Sequence, residues 1–342
     1  MKKTIKELLV EASPETARLK KQIKLLEGER KKLVEQLVNR QEFAEECAAS
    51  VSALDPYPKF HHPRGAKLTT PIVPVLMLGD WHIGERISSA ETEAFGIYDW
   101  DIAQERALYI TDSFLKYVDV QRSIYNISEC RVFGLGDWVS GDIHEELKNT
   151  NEFPLPEQAV KAGTLLGECV ARIASSFKGV IVDAVGADNH GRLQKKPQAK
   201  QKSSNSMSYI VHEVARQATR KCNNVEWNLA VGVKLLAIVN EWRFLLEHGD
   251  SIRGNMGIPF YGYARLIGKE AVRRMNTDKG FDFLCTGHFH TPNIIENRSL
   301  INGSLSGTSE YDHTAGRHAK PSQVAFFVHP QHGIFNWTAF TC

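Results

Sequence analysis

Short motifs rich in carboxylate, amide and imidazole recur in order along the chain: Gly79-Asp80-Trp81-His82, Gly136-Asp137, Asn189-His190, His248-Gly249-Asp250 and Gly287-His288-Phe289-His290. In extended backbone, side chains two residues apart project to the same side. Asp80 with His82, and His288 with His290, are therefore expected to offer pairs of ligands to one point. Paired oxygen and nitrogen ligands at the ends of separate strands are what a two-metal hydrolytic centre needs and a packed core does not.

The elements that must position these residues follow from the apolar runs. Ile72 to Leu78, Cys130 to Leu135, Val180 to Val185, Trp242 to Leu246 and Phe281 to Cys285 read as strands, each ending at or near a motif. Between them, Asp101 to Val120, Glu157 to Phe177 and Ser206 to Lys221 read as helices, and Leu300 to Thr341 as further β structure. Strand-then-helix alternation predicts an α/β domain, whose open sheets bind ligands beyond the strand C-termini.

The motif series resembles the calcineurin-like metallophosphoesterase superfamily over about residues 72 to 335, with its pattern Asp-x-His, Gly-Asp, Gly-Asn-His-Asp/Glu, a lone His and Gly-His-x-His. The resemblance implies two stacked mixed β-sheets flanked by helices, a four-layer sandwich. It implies that Asp80, His82 and His290 hold one metal, that Asn189, His248 and His288 hold a second, and that Asp137 bridges both. His190 falls at the family's substrate-facing acid. On this reading a hydroxide between the metals attacks phosphorus in line, while His190 protonates the leaving oxygen or stabilises its charge. The mixed donors favour Mn, Fe or Zn over Mg or Ca, with Mn preferred.

The chain departs from that pattern twice. Gly191 follows His190 where an Asp or Glu is usual, which leaves Asp188, Asp142 or Asp250 to orient the imidazole. Ser/Thr phosphatases of the superfamily extend the second motif as Gly-Asp-x-Val-Asp-Arg-Gly, whereas here it reads Gly136-Asp137-Trp138-Val139-Ser140-Gly141-Asp142. The Arg that would grip a terminal phosphate by its fork is missing there, which favours a phosphodiesterase or nuclease over a phosphomonoesterase for nucleotides or phosphoproteins. Arg192 is the available substitute. A non-catalytic assembly protein on the same fold is the remaining alternative, opposed by every ligand position being filled.

Substrate contacts are expected beyond His190. Arg192, Lys195, Lys196, Lys200 and Lys202 form a stretch without an acid, either a loop tracking a nucleic-acid backbone or a solvated surface. Arg253 and Arg265, with Tyr261 and Tyr263 between them, could add phosphate and stacking contacts, against the plainer reading of packed tyrosines. Nucleic acid or a nucleotide is the expected substrate. Trp81 and Trp138 are expected to pack behind the site. His144 is read as a surface histidine near it, and His212, His329 and His332 as structural. The Gly303 to Tyr311 turn ahead of His313 and His318 is a candidate pocket wall; its glycines carry no phosphate signature because no helix pattern follows.

At 342 residues and 42% hydrophobic content, one large domain can bury a sizeable core, and a formal charge of +2 leaves polyanion binding to local clusters. No apolar run reaches the roughly 18 residues of a membrane span, and the Lys-rich start lacks a signal peptide's apolar stretch. The six cysteines lack CxxC spacing, which suits reduced thiols and a cytoplasmic location; Cys285 reads as a buried small hydrophobe rather than a ligand. Residues 15 to 48 read as one long helix within an N-terminal region 1–52. Leu19, Ile23, Leu26, Leu33 and Leu37 form a heptad seam, with Arg30 in one core slot and Gly28 weakening it. The seam fits a homodimeric coiled coil or packing on the catalytic domain. Pro56, Pro58, Pro63 and Gly65 mark 53–70 as a linker, which holds His61 and His62 without assigned chemistry, and 71–342 is the metallophosphoesterase domain.

Overall fold

The computed structural model describes the backbone of residues 14–50, 70–253 and 259–342, with side chains in the first helix described for 17–35. The linker, including His61 and His62, lies outside these residues except at its last position, and so does the side chain of Leu37. The chain divides into two units, Met1–Ala66 and Lys67–Cys342. In the first, helix α1 (Pro14–Ser50) leaves Leu19, Ile23, Leu26 and Leu33 exposed, together with Leu25 and Val34. Lys31 and Glu35 pair one turn apart at 4.0 Å, a contact that supports an isolated helix only weakly. No helix among the described residues is long and apolar enough to cross a membrane.

The second unit runs β1 (Val73–Leu78), α2 (Trp100–Gln121), β2 (Glu129–Gly134), α3 (Glu145–Thr150), α4 (Leu155–Ala174), β3 (Gly179–Ala184), α5 (Met207–Ala218) and β4 (Val225–Leu229). It continues with β5 (Lys234–Val239), β6 (Trp242–Glu247), α6 (Phe260–Arg274), β7 (Phe283–Thr286), β8 (Asn293–Ile295), β9 (Ser299–Ile301), α7 (Glu310–Thr314), β10 (Ser322–His329) and β11 (Gly333–Thr341). The expected strands and helices are present within a few residues of their anticipated ends. The late β region is interrupted by α7, a helix that the Gly/Ser-rich turn did not announce.

A 6-stranded sheet has the order β11-β10-β1-β2-β3-β4, and a 5-stranded sheet the order β5-β6-β7-β9-β8. Both are mixed: β1, β2, β3 and β4 pair in parallel while β10 runs antiparallel to β1, and β6, β7 and β9 are parallel between antiparallel neighbours.

Strand alternation sets the layers. Leu76 and Leu78 of β1 join an apolar cluster with Ile110 and Phe114 of α2 and Leu165 and Ile173 of α4. Val75 and Met77, on the opposite face, join Phe133 of β2, Phe244 and Leu246 of β6, and Phe326 of β10. Leu245 and Leu284, on the far face of the second sheet, pack with Tyr263 of α6. The order is therefore helix, sheet, sheet, helix. Burial on both faces explains why β1 is an uninterrupted apolar run. Phe244 centres the inter-sheet core, 5.6 Å from Phe133 and 5.7 Å from Phe326 by ring centroids. Truncating it to Ala should cost about 3–5 kcal/mol of stability.

Candidate metal centre

Each motif lies just past the C-terminal end of a strand: Asp80 after β1, Asp137 after β2, Asn189 and His190 after β3, His248 after β6, and His288 and His290 after β7. The backbone there is not extended. Asp80, His82, Asp137, His288 and His290 have φ of 53°, 49°, 49°, 70° and 57°, all left-handed. The expectation that extended spacing pairs the ligands is therefore corrected: strand pairing has ended, and the loops curl so that the side chains converge by turning. Left-handed backbone costs a non-glycine residue about 1–2 kcal/mol, and tertiary bonds hold it here. Asp80 N–H donates to Gly136 O at 2.9 Å. The Asp80 carbonyl accepts from Leu305 N–H at 3.0 Å and from the Ser304 hydroxyl at 3.1 Å. The Gly/Ser-rich turn thus supports Asp80 from behind. Gly287 is needed for closeness, since a Cβ there would lie 2.3 Å from Asp80 Oδ2.

The ligand atoms of Asp80, His82 and His290 lie within 4.8 Å of one another, and so do those of Asp137, His248 and His288. A further group, His82, Asp137 and His190, joins the two. Within the first, His82 Nε2 is 3.1 Å from His290 Nε2, and His290 Nε2 is 3.7 Å from Asp80 Oδ1. Within the second, His248 Nε2 is 3.0 Å from Asp137 Oδ2 and 2.8 Å from Asn189 Oδ1. All the residues expected to ligate are thus brought together, with Asp137 of the second group also close to His82 of the first.

The donor set fits divalent transition metals. Two nitrogens each about 2.1 Å from one ion, 90–109° apart, would be separated by about 3.0–3.4 Å, which matches the His82–His290 spacing. Asp80 Oδ2 is buried without a hydrogen-bond partner among the described residues, the condition of an atom whose partner is a cation. Burial raises the Asp80 carboxyl to about 6, with Asp137 adding to the effect. Burial, with His190 and His290 nearby, lowers His82 well below its ordinary value, and burial takes His288 to about 3. These imidazoles are neutral and able to bind metal. For Asp137 and His248, burial opposes charge in each, but their mutual attraction prevails: the carboxylate is held well below its usual range and the imidazole well above.

Outer partners fix the imidazoles. His248 Nδ1 donates to Leu135 O at 2.8 Å, and His190 Nδ1 to Ser140 O at 2.7 Å. His290 Nδ1 faces Asp312 Oδ2 at 3.9 Å. Asp312 is itself fixed by Ser309, the N-cap of α7, whose hydroxyl donates to Asp312 Oδ2 at 3.0 Å. Sequence reading missed Asp312; its signal was the Ser-x-x-Asp cap spacing. It also missed Glu85, whose carboxyl is raised to about 7 by burial, with Glu310 and Asp312 adding to the effect. None of Asp142, Asp188 and Asp250 is hydrogen-bonded to the His190 ring among the described residues. The expected orienting carboxylate is a backbone carbonyl instead.

The remaining expectations divide. Trp81 and Trp138 are fully buried in an edge-to-face pair with centroids 4.9 Å apart, and Trp138 Nε1 donates to buried His212 at 2.9 Å. Cys285 is buried in the inter-sheet core, and Tyr263 is buried while Tyr261 is exposed. His144 is exposed, its ring 5.8 Å from that of His190. The basic loop is less bare than its sequence: Lys195 pairs with Glu145 at 2.6 Å and Lys202 with Asp250 at 2.7 Å. Arg192 donates to the carbonyls of Gln194 and Lys195, each at 3.1 Å. Lys196, Lys200 and Arg253 are exposed.

No protein-family model and no curated protein matches the chain. Among solved structures it is similar to a conserved uncharacterized protein of Streptococcus pneumoniae TIGR4 described as a predicted phosphoesterase. That match is 11% identical with a TM-score of 0.27, over 53% of this chain and 91% of the other. It is also similar to Vps29 of Entamoeba histolytica, solved with zinc, at 12% identity and a TM-score of 0.30 over 78% and 98% of the two chains. Facing mixed sheets between helix layers, with the motif residues beyond β1, β2, β3, β6 and β7, are the arrangement that the sequence resemblance implies.

Proposed function

We propose that the protein is a binuclear-metal phosphoesterase that hydrolyses phosphodiesters of nucleic acids or nucleotides. The observation that carries this reading is the joining of two ligand groups through a third, in which His82 of the first meets Asp137 of the second beside His190. Asp80, His82 and His290 would hold one ion, Asn189, His248 and His288 the other, and Asp137 both; manganese suits the mixed donors. Bound there, the ions would supply positive charge against the phosphate and lower the pKa of water toward neutrality.

The chain's own residues do the rest. Asp137 Oδ1 accepts the His190 backbone N–H at 3.0 Å, so the bridging carboxylate also places the imidazole. With Nδ1 donating to Ser140 O, His190 keeps Nε2 for proton transfer to the leaving oxygen. A diester is favoured over a monoester because Ser140 stands buried at the position of the family's second-motif acid, and Arg192 spends its fork on its own loop. Lys196 and Lys200, exposed beside the site loop, are the proposed backbone contacts of a polynucleotide, and Arg253 a further one. The exposed Leu19, Ile23, Leu26 and Leu33 of α1 are proposed to pair with a second copy.

Incubation with Mn and bis-nitrophenyl phosphate, nitrophenyl phosphate, single-stranded DNA or duplex DNA tests the reading. Preference for the diester and for DNA supports it, preference for the monoester replaces it with a phosphomonoesterase, and no turnover of any substrate leaves an assembly protein.

A further inference from the structure

Asp188 is a fully buried carboxylate whose two oxygens are committed to backbone on both sides of the site. Oδ2 accepts the N–H of Asp137 at 3.0 Å and the hydroxyl of Ser208; Oδ1 accepts the N–H of Gly191 at 2.8 Å. One side chain thus ties together the loop after β2 that carries Asp137, the loop after β3 that carries Asn189 and His190, and the first turn of α5. A carboxylate is costly to bury, and these donors offset that cost.

The surrounding chain is shaped to admit it. A Cβ at Gly136, where φ is 91°, would lie 2.9 Å from both Asp188 Cβ and Oδ2. A Cβ at Gly191 would lie 2.7 Å from Asp188 Oδ1, 2.6 Å from Ser206 Oγ and 2.9 Å from Ser208 Oγ. The side chain that the family pattern places after His190 therefore has no room here. The acid stands before Asn189 instead, bonded to backbone rather than to the imidazole.

We infer that Asp188 is a positioning residue, a carboxylate clamp that sets the bridging ligand Asp137 against the Asn189–His190 turn, with Gly136 and Gly191 kept small to accommodate it. The inference rests on the proposed function for its consequences in metal binding and turnover, but the clamp itself is a property of the metal-free fold. Removing it frees the backbone of a ligand shared by two ions, so both affinities and the chemical step should suffer while substrate affinity does not.

The test compares wild type with Asp188→Asn, Asp188→Ala and Ser208→Ala. In amide NMR spectra of the metal-free protein, the Asp137 and Gly191 protons should lie downfield and exchange slowly. Asp188→Ala should release both, and Asp188→Asn, which keeps the volume but only one accepting oxygen, should release one. Calorimetric titration with Mn should show affinity reduced at least ~10-fold in Asp188→Ala, with kcat on bis-nitrophenyl phosphate lowered and KM kept. Ser208→Ala should fall between. Unmoved amides in Asp188→Ala, or Mn affinity and kcat within twofold of wild type in both Asp188 variants, would overturn the inference. Wild type that neither takes up Mn nor cleaves the diester would instead overturn the proposed function, and the amide shifts alone would then decide the clamp.

Discussion

His82 and His290 present their Nε2 atoms to each other at 3.1 Å, on loops that follow different sheets. Two imidazole lone pairs cannot share that space: either a proton lies between them or both turn to a cation. Asp80 completes the corner, and its carboxyl, raised to about 6 by burial, is disfavoured in its charged form. In the metal-free protein the fold holds this proton more tightly than an unfolded carboxyl near 3.9 does. The Asp80 contribution to stability therefore declines as pH rises from about 4 to about 6. A cation removes that penalty. Mn should accordingly raise the melting temperature more at pH 7.5 than at pH 5, and an equal gain at both would remove Asp80 from the ligand set.

Asp312 stands behind His290, its Oδ2 3.9 Å from Nδ1, where a carboxylate could orient the imidazole on a metal. Asp312→Asn should weaken the tighter-bound or the weaker-bound Mn by about 10–100-fold in calorimetry while leaving the other ion within a fewfold. Unchanged titrations would mean that the 3.9 Å approach has no part in ligation.

His190→Gln should retain metal but lose about 10²–10⁴ in kcat on a substrate with a poor leaving group, and far less on nitrophenyl esters. Equal losses on both would rule out proton donation by His190 Nε2.

Much of this arrangement was legible in sequence, for reasons that also mark the limits. The buried strands read as apolar runs because β1 and its neighbours are covered on both faces, and ligands stand out at their ends. The pairing of Asp80 with His82 was anticipated through extended backbone, yet both residues are left-handed. Periodicity registers spacing, while the curl of these loops is set by distant groups such as Gly136 O and Ser304. The approach of Asp312 to His290 and the bond from Asp137 to Asp188 escape such reading for the same reason, since each joins separate segments of the chain. The loop from Arg192 to Lys202 looked uncompensated because its acids, Glu145 and Asp250, come from other segments.

That difference makes a separable prediction for the basic loop. Exposed Lys196 and Lys200 should each contribute about 0.7 to the slope of log affinity against log salt for single-stranded DNA. The double alanine variant should therefore flatten it by about 1.4, while Lys202→Ala, whose ammonium is held by Asp250, should leave it unchanged. An identical slope in the double variant would dismiss the loop as a polynucleotide contact.

The central claim is that Asp137 stands between two divalent ions. Anomalous-scattering maps from crystals soaked in Mn test it directly. Two peaks about 3.5–4 Å apart are expected, one among Asp80, His82 and His290 and one among Asn189, His248 and His288, with Asp137 touching both. Maps without density among these side chains, or with Mn bound only elsewhere on the protein, would contradict it.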